Sequence, residues 1–469
     1  MSLEVIQKLF GRISRRRLNL LQEALRVKRS LKIRDEFGLE RPISITVIVP
    51  TFLRSQVELS GYRYEVIRNE LVILGRILTH GLIDEIIIVD GSVDEKRRID
   101  ERLARQMAST AYRSIPLFHD QVNQLNKFSA LKDRAKLGLY DFVFRIIHQR
   151  DPQIDSIARS LSILPDGIPA GKGAGLWLAV GVSSGDILVF MDSDIRGLEE
   201  WQVVALIEPI LKSLANKRKD VEFVKAYYTR LSVNLDSPEK GFYKLGGRAT
   251  RLFFIPFIKV LARHGILKGL EKLRYPLSGE FAGKRELITS LSLPANYDVE
   301  AGMLIDLWKR RLIDKIVEAD LHLFQHFPQP DEVILKMVEG IVNLLTWELR
   351  DHLASISELD REYLQEAYRE IKRTQTLFER IEIRSEVDQT VRRIFHRDVE
   401  GDKRRVEAYA EMLRRILLAG APHAQILCKM PPWQEITGRI EGKNFQNFLQ
   451  RRSVIYTLQL LSREGIVKI

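Results

Sequence analysis

The stretch 171–194, GKGAGLWLAVGVSSGDILVFMDSD, places a glycine-rich loop, a helical segment and an apolar strand directly before two aspartates. Its strand, 187–191, is the kind of continuous apolar run that is buried on both faces of a parallel sheet. Further strands are predicted at 43–49, 85–89 and 221–227, and helical segments separate them. The repeated β-α-β order predicts an α/β fold with a mostly parallel central sheet.

Ligands of such sheets bind at the carboxyl ends of the strands, and polar residues follow three of these strands. Asp192 and Asp194 come first, because two carboxylates at this spacing can jointly approach a divalent cation and a ribose or phosphate. The alternative is that Asp194 only caps the helix that follows it.

Two basic segments are candidate anion sites. Lys172 lies between glycines at the start of a predicted helix, where backbone amides and a point charge favour an anion. Its spacing is not that of a P-loop, and a flexible surface loop is the alternative. Arg248 and Thr250, in GGRAT, open another predicted helix and suit a phosphate or carboxylate. The alternative there is a helix start with an exposed arginine.

The remaining candidates are two glutamates and a histidine. Glu280 and Glu300 lie at predicted loop–helix junctions, where acids often serve only as first-turn charges. If 316–324 is a strand, His322 and His326 project from the same face. A lone histidine is more often structural than a metal ligand, so both roles stay open for His326.

Composition limits the classes of protein. The chain has 469 residues, a net charge of +12, 45% hydrophobic residues and a single cysteine, Cys428. This balance indicates a folded soluble protein rather than a disordered or membrane-embedded one. One cysteine excludes an internal disulfide framework and a cysteine-based metal site, which favours the cytoplasm. We expect neither a signal peptide nor a membrane span.

The chain divides into three predicted regions by its composition and its pattern of apolar residues. Residues 1–42 predict basic amphipathic helices with 11 Lys and Arg against 5 Asp and Glu. Residues 43–330 form the α/β domain, with an insertion at about 100–165, and residues 331–469 predict an all-α region. That last region has 23 Lys and Arg against 22 Asp and Glu, too balanced for a surface that follows nucleic-acid phosphates. We expect it to mediate a homodimer or to pack on the α/β domain.

In order and spacing, the motifs of 43–330 resemble those of the retaining GT-A glycosyltransferases typified by glucosyl-3-phosphoglycerate synthase. The shared segments are VIVP, IIIVDGS, the stretch 171–194, FVKAYYTR, GGRAT, YPLSGEFAGKREL, YDVEAGMLID and the late His326. The resemblance implies a GT-A nucleotide-sugar domain that uses Mg²⁺ or Mn²⁺. It also implies transfer of a hexose, glucose by the family's name, from a UDP-glucose or GDP-mannose type of donor to 3-phosphoglycerate or glycerate.

The resemblance also implies a role for each candidate residue. The residues expected to hold the nucleotide sugar are Pro50, Asp90, Ser92, Lys172 and Asp192. The residues expected around the metal are Asp192, Asp194 and His326. The residues expected to bind the acceptor are Arg248 and Thr250. The residues expected near the reacting carbon or the leaving diphosphate are Glu280, Glu300 and Lys172.

Two departures from the family pattern bear on the substrates. The loop TFLRS lacks the family's usual acid, so the contacts of the donor base are open. His326 is followed by FPQP where the family has Asn and an acceptor-gripping Arg. Because such charge-assisted bonds are strong, this loss favours unphosphorylated glycerate as the acceptor.

Two rival functions stay open. One is a membrane-surface glycosyltransferase that acts on a polyprenyl phosphate and contacts anionic lipid through residues 1–42. The other is a nucleic-acid-binding or scaffold protein, against which the balanced charge of the C-terminal region argues.

Overall fold

A computed structural model describes residues 19–34, 38–53, 62–216, 220–233, 243–326, 329–353, 356, 358–383, 395–396, 398–419 and 428–468. Several predicted features lie outside these ranges. They are residues 1–18 of the basic leader, residues 54–55 of the TFLRS loop and the pair 327–328.

The described strands are β1 (Lys32–Arg34), β2 (Glu40–Pro42), β3 (Ile45–Thr51), β4 (Glu85–Asp90), β5 (Phe144–His148), β6 (Ile187–Phe190), β7 (Phe223–Val233), β8 (Tyr243–Leu245), β9 (Phe281–Lys284), β10 (Leu293–Pro294), β11 (Ile316–His326), β12 (Phe395–His396) and β13 (Lys429–Met430). The α-helices up to residue 309 are α1 (Leu20–Ser30), α2 (Tyr62–Thr79), α3 (Arg102–Ser114), α4 (Pro116–Lys127), α5 (Ser129–Lys136), α6 (Pro152–Ser160), α7 (Lys172–Val182), α8 (Glu200–Asn216), α9 (Ile255–Arg263), α10 (Arg285–Ser290) and α11 (Val299–Lys309). Those that follow are α12 (Asp331–Glu348), α13 (Arg350–Leu353), α14 (Leu359–Ile383), α15 (Val399–Ala419), α16 (Trp433–Thr437) and α17 (Ile440–Arg463).

A nine-stranded sheet forms the centre of the fold. Its order is β12-β8-β7-β9-β6-β3-β4-β5, and β11 pairs with β7 beside this path. Five of its pairings are parallel and three are antiparallel, which confirms the predicted α/β class with a mostly parallel sheet. The antiparallel strand β9 lies between β6 and β7.

Both faces of the sheet are covered by helices. In β3, Ile48 belongs to one apolar cluster while Val47 and Val49 belong to the other, as the alternation of side chains along a strand requires. Because the strands are buried on both faces, their apolar runs are nearly continuous. No helix in the described ranges combines the length and apolar character that crossing a bilayer requires.

The predicted insertion at 100–165 contains a strand that the sequence pattern did not predict. Strand β5 extends the sheet parallel to β4, and all of its residues are buried. The charged Arg145 interrupts its apolar run, which hides the strand from a search for such runs. Arg145 is tolerated there because it pairs with the buried Glu85, which also accepts a hydrogen bond from Thr46 at 2.7 Å.

The described part of the basic leader packs on the body of the protein. Helix α1 contacts α8 and buries Ala24 and Leu25, and Lys28 donates to the Asp84 carboxylate at 2.7 Å. The apolar face that was predicted to meet a membrane is therefore occupied along this helix. A membrane contact stays a prediction for residues 1–18.

The region beyond residue 330 is mainly helical, as predicted, but it is not entirely α. Its short strands β12 and β13 pair with β8 and β10, because those strands offer free backbone groups to them. Trp433 stacks on Trp177 of α7 with ring centroids 4.7 Å apart. Helix α17 packs on β5, and the backbone N–H of Ile146 donates to Thr457 Oγ1 at 2.9 Å. The region thus shares the apolar cores of the sheet, while the domain boundaries stay a prediction.

Candidate active site

The first group of predicted residues lies where β3 and β4 end. Pro50 is half-buried opposite Val89, and Thr51 is opposite Asp90. The Asp90 Oδ1 atom accepts from Ser92 Oγ at 2.7 Å and from Thr51 Oγ1 at 3.0 Å. Burial raises the pKa of Asp90. The structure therefore brings Pro50, Asp90 and Ser92 together. Among the described residues, nothing donates a hydrogen bond to the Oδ2 atom of Asp90.

The second group is an ion-pair triad. Lys172 begins α7, and its Nζ lies 2.7 Å from Asp192 Oδ1 and 2.7 Å from Glu300 Oε1 of α11. Burial alone would lower the pKa of Lys172, but the two carboxylates outweigh it and raise that pKa. The loop of Gly279 closes over Asp192 so tightly that a Cβ atom there would lie 2.1 Å from Asp192 Oδ2.

The third group is the pair Asp194–His326. The Nδ1 atom of His326 lies 3.1 Å from Asp194 Oδ1, and the histidine side chain is 0% exposed. Burial would raise the pKa of Asp194, but His326 and Arg230 outweigh it and lower it well below its ordinary value. Burial and Arg230 lower the pKa of His326, which favours its neutral imidazole. Helix α8 begins only at Glu200, so Asp194 is not its cap.

This pair fits a divalent cation. Ligands on adjacent corners of an octahedron with bonds of about 2.1 Å are about 3 Å apart, which matches the spacing of Asp194 and His326. A neutral imidazole and an ionised carboxylate are the ligating forms. In this arrangement His326 Nδ1 would be the ligating nitrogen, and Nε2 is buried without a hydrogen-bond partner in the described residues. No third His, Cys, Asp or Glu joins them in the described part of the chain, so a bound substrate would have to complete the shell.

Two buried carboxyls face this centre. Burial, followed by Asp192, raises the pKa of Glu280 to about 8, and Tyr228 donates to its Oε2 at 2.7 Å. Glu70 of α2 is also buried, and neither of its oxygens has a hydrogen-bond partner among the described residues. Burial, followed by Asp194, raises the pKa of Glu70 well above its ordinary value.

The raised pKa of Glu280 predicts a pH-dependent stability. A carboxyl protonated in the fold but ionised when unfolded makes unfolding easier as pH rises from about 4.5 to about 8, by at most about 1.4 kcal/mol per pH unit. Glu280→Gln imitates the protonated form, so its metal-free free energy of unfolding should decline less steeply with pH than that of the wild type. Urea titrations in EDTA between pH 4.5 and 9 would measure both proteins, and parallel profiles would contradict the assignment.

The predicted acceptor residues lie at the start of a helical segment, as expected. Arg248 precedes a π-helical turn, Ala249–Phe254, and its guanidinium pairs with the carboxylate of Asp331. Thr250 is buried near the hydroxyl of Tyr275. The Tyr275 ring lies 4.6 Å from the Tyr228 ring, which connects this region to Glu280.

The expectation for His322 depended on an uninterrupted strand. A register shift between Asp320 and Leu323, with φ 60° at His322, breaks the alternation along β11. His322 consequently lies against Trp201, with ring centroids 5.5 Å apart, while His326 contacts Asp194.

Sequence reasoning missed three residues of the site. Tyr228 and Arg230 lie beyond the predicted end of the strand at residue 227, because β7 continues to Val233. Glu70 could have been found from the sequence, because it is a charged residue on the apolar face of a helix. It lies three residues after the buried Ile67 and four after the buried Val66.

Sequence comparison adds an independent line of observation. A curated glucosyl-3-phosphoglycerate synthase from Mycobacterium tuberculosis is 34% identical over 177 residues, which are 38% of this chain and 52% of that protein. Another, from Petrotoga mobilis, is 32% identical over 194 residues, 41% of this chain and 56% of that protein. The sequence is similar to glucosyl-3-phosphoglycerate synthases. The predicted resemblance to this family is confirmed.

The similarity to these synthases is partial. The chain spans about half the length of the curated synthases it matches. A crystal structure of the synthase from Mycobacterium tuberculosis in complex with Mn²⁺, UDP and glucosyl-3-phosphoglycerate aligns with a TM-score of 0.44 at 23% identity. That alignment covers 70% of this chain and 83% of the synthase chain. No family model matches the chain.

Proposed function

We propose that the protein is a metal-dependent retaining glycosyltransferase. It transfers a hexose, glucose by the name of its relatives, from a nucleotide-diphosphate sugar to 3-phosphoglycerate or glycerate. The observation that carries the proposal is the Asp194–His326 pair at the strand ends. The triad of Lys172 at the start of α7, Asp192 after β6 and Glu300 of α11 supports it.

Each side chain has a chemical task in this proposal. Asp194 and His326 would hold Mg²⁺ or Mn²⁺, which supplies charge neutralisation to the leaving diphosphate when it is bound. Lys172 adds a fixed positive charge beside the same group. Pro50, Asp90 and Ser92 line the strand ends where the nucleoside would lie.

The glutamates favour a mechanism without a covalent enzyme intermediate. Glu280 holds its proton at neutral pH because its pKa is about 8, and Glu300 is paired with Lys172. Neither is a free carboxylate nucleophile. The acceptor hydroxyl would attack from the side of the leaving group and give its proton to the departing phosphate oxygen. Glu300 would orient sugar hydroxyls.

A substrate panel tests this function. The full chain is incubated with Mg²⁺ or Mn²⁺, with UDP-glucose or GDP-mannose as donor, and with 3-phosphoglycerate or glycerate as acceptor. We expect an α-linked glucosyl product, identified by its mass and anomeric coupling constant, and no product when EDTA is present. An inverted product, or transfer in EDTA, would contradict the mechanism.

Two finer features belong to the same proposal. A homodimer would be tested by light scattering of the full chain. A peripheral membrane contact through the basic residues 1–42 would be tested by flotation with anionic liposomes. The contact of α1 with α8 limits such a contact to the residues before it.

A further inference from the structure

Two arginines from distant parts of the chain hold one carboxylate at the start of α12. Arg405 of α15 donates from Nε to Asp331 Oδ1 at 2.9 Å and from Nη2 to Asp331 Oδ2 at 3.0 Å. The guanidinium of Arg248 contacts the same Asp331 Oδ1. A bidentate contact of this kind is the strong geometry by which arginine binds carboxylates and phosphates. We call Arg248 and Arg405 together the oxyanion seat. In this structure the seat is occupied by the Asp331 side chain of the protein itself.

The seat is fixed, but its occupant is exposed. Arg405 also bonds Asp402 at 3.1 Å and Asp398 at 3.0 Å, and Arg251 pairs with Asp402 at 2.8 Å. The side chains of Arg248 and Arg405 are 17% and 18% exposed, whereas that of Asp331 is 50% exposed. Arg405 is therefore held by two other carboxylates, and Arg248 donates to the Gln329 carbonyl. Asp331 can turn into solvent without disturbing the core.

The seat adjoins the candidate active site. Gly247, next to Arg248, has φ 69° and approaches Tyr275 so closely that a Cβ atom there would lie 2.4 Å from its hydroxyl. Tyr275 stacks near Tyr228, whose hydroxyl donates to Glu280. Asp331 also follows the metal-site residue His326 by five positions.

We propose that Arg248 and Arg405 together bind the phosphate of the acceptor, and that Asp331 occupies their seat until the acceptor displaces it. This inference rests on the proposed function and extends it to a part of the chain beyond the family resemblance. Arg405 supplies the cation that is missing after His326, where this sequence has FPQP.

The negative charge of the acceptor determines whether it can displace Asp331 from the seat. Asp331 is tethered to the site, so it competes at a high effective concentration. A glycerate carboxylate brings the same single charge as Asp331 and gains nothing by the exchange. A phosphate brings nearly two negative charges and three acceptor oxygens to the two guanidinium groups. The seat therefore selects a phosphorylated hydroxy acid, in contrast to the unphosphorylated glycerate that the missing arginine favoured.

Calorimetric titration of 3-phosphoglycerate and of glycerate into the full chain tests this directly. We expect Arg405→Gln to weaken 3-phosphoglycerate binding about 10- to 100-fold, the usual effect of losing a charge-assisted pair, with little change for glycerate. Asp331→Asn should strengthen binding of 3-phosphoglycerate several-fold, because it removes the competing charge. The matched control is Arg414→Gln, which changes an exposed arginine of the same helix.

The outcomes separate this inference from the proposed function. Unchanged 3-phosphoglycerate binding by Arg405→Gln overturns the inference, even if the protein transfers glucose. If Arg405→Gln does not fold, as judged by thermal melting, the Asp331→Asn titration decides, and equal or weaker binding overturns the inference. Wild-type binding of 3-phosphoglycerate without transfer from any donor would sustain the seat and refute the proposed function.

Discussion

Asp194→Asn is expected to lower glycosyl transfer about 10³-fold and to weaken Mn²⁺ binding by at least about 100-fold. The substitution keeps the shape of the side chain but removes the negative charge of the carboxylate that lies 3.1 Å from His326 Nδ1. A neutral amide is a poor ligand for a hard divalent cation, and a bound cation contributes several kcal/mol to a reaction that develops negative charge.

Metal binding can be measured separately from turnover. Calorimetric titration of Mn²⁺ into protein saturated with UDP reports the affinity, because the nucleotide would complete the ligand shell, and the transfer assay reports the rate. Asp351→Asn is the matched control, because the Asp351 side chain is 90% exposed and far from the site in sequence. If Asp194→Asn retained both Mn²⁺ affinity and metal-dependent transfer, the metal assignment would be wrong.

Lys172→Met is expected to affect stability and donor binding together. Its loss leaves Asp192 and Glu300 facing each other without their shared cation, and removal of one partner from a buried ion pair costs about 3–5 kcal/mol. Because Asp192 keeps a quarter of its side-chain surface exposed, we expect a loss of about 2–3 kcal/mol here. Donor affinity should fall about 10- to 100-fold, since a charge beside the diphosphate is gone.

The double variant Lys172→Met/Glu300→Gln separates the two effects. Removing one of the uncompensated carboxylates should restore part of the free energy of unfolding, measured by urea titration. Donor binding, measured by titration with UDP-glucose and Mg²⁺, should stay weak. Wild-type donor affinity in Lys172→Met would show that the lysine acts only as a structural ion-pair partner.

The sequence predicts those strands of the fold whose residues are almost all apolar. Strands β3, β4 and β6 are buried on both faces, so their apolar runs and the acids after them are visible without any tertiary information. Strand β5 was not predicted, because Arg145 interrupts its apolar run. The charge of Arg145 is compensated by Glu85, a residue 60 positions away in the sequence. Such pairing across the sheet leaves no local pattern.

The same limit applies to the site. Individual residues such as Lys172 and Asp194 have local signals, in the glycines and the strand end beside them. Their partners do not, because Glu300 and His326 meet them only through the packing of α11 and β11 on the sheet. Arg405 lies in a helix of balanced charge, so only its contacts with Asp331, Asp398 and Asp402 distinguish it from the exposed arginines nearby.

The position of α17 has a consequence for self-association. Strand β5 ends the sheet, and a terminal strand with free backbone groups is a template for a strand of another molecule. Here the chain covers its own terminal strand, and the hydroxyl of Thr457 accepts the N–H of Ile146. Two copies therefore cannot join by continuing their sheets through β5, and any pairing of copies must use a different surface.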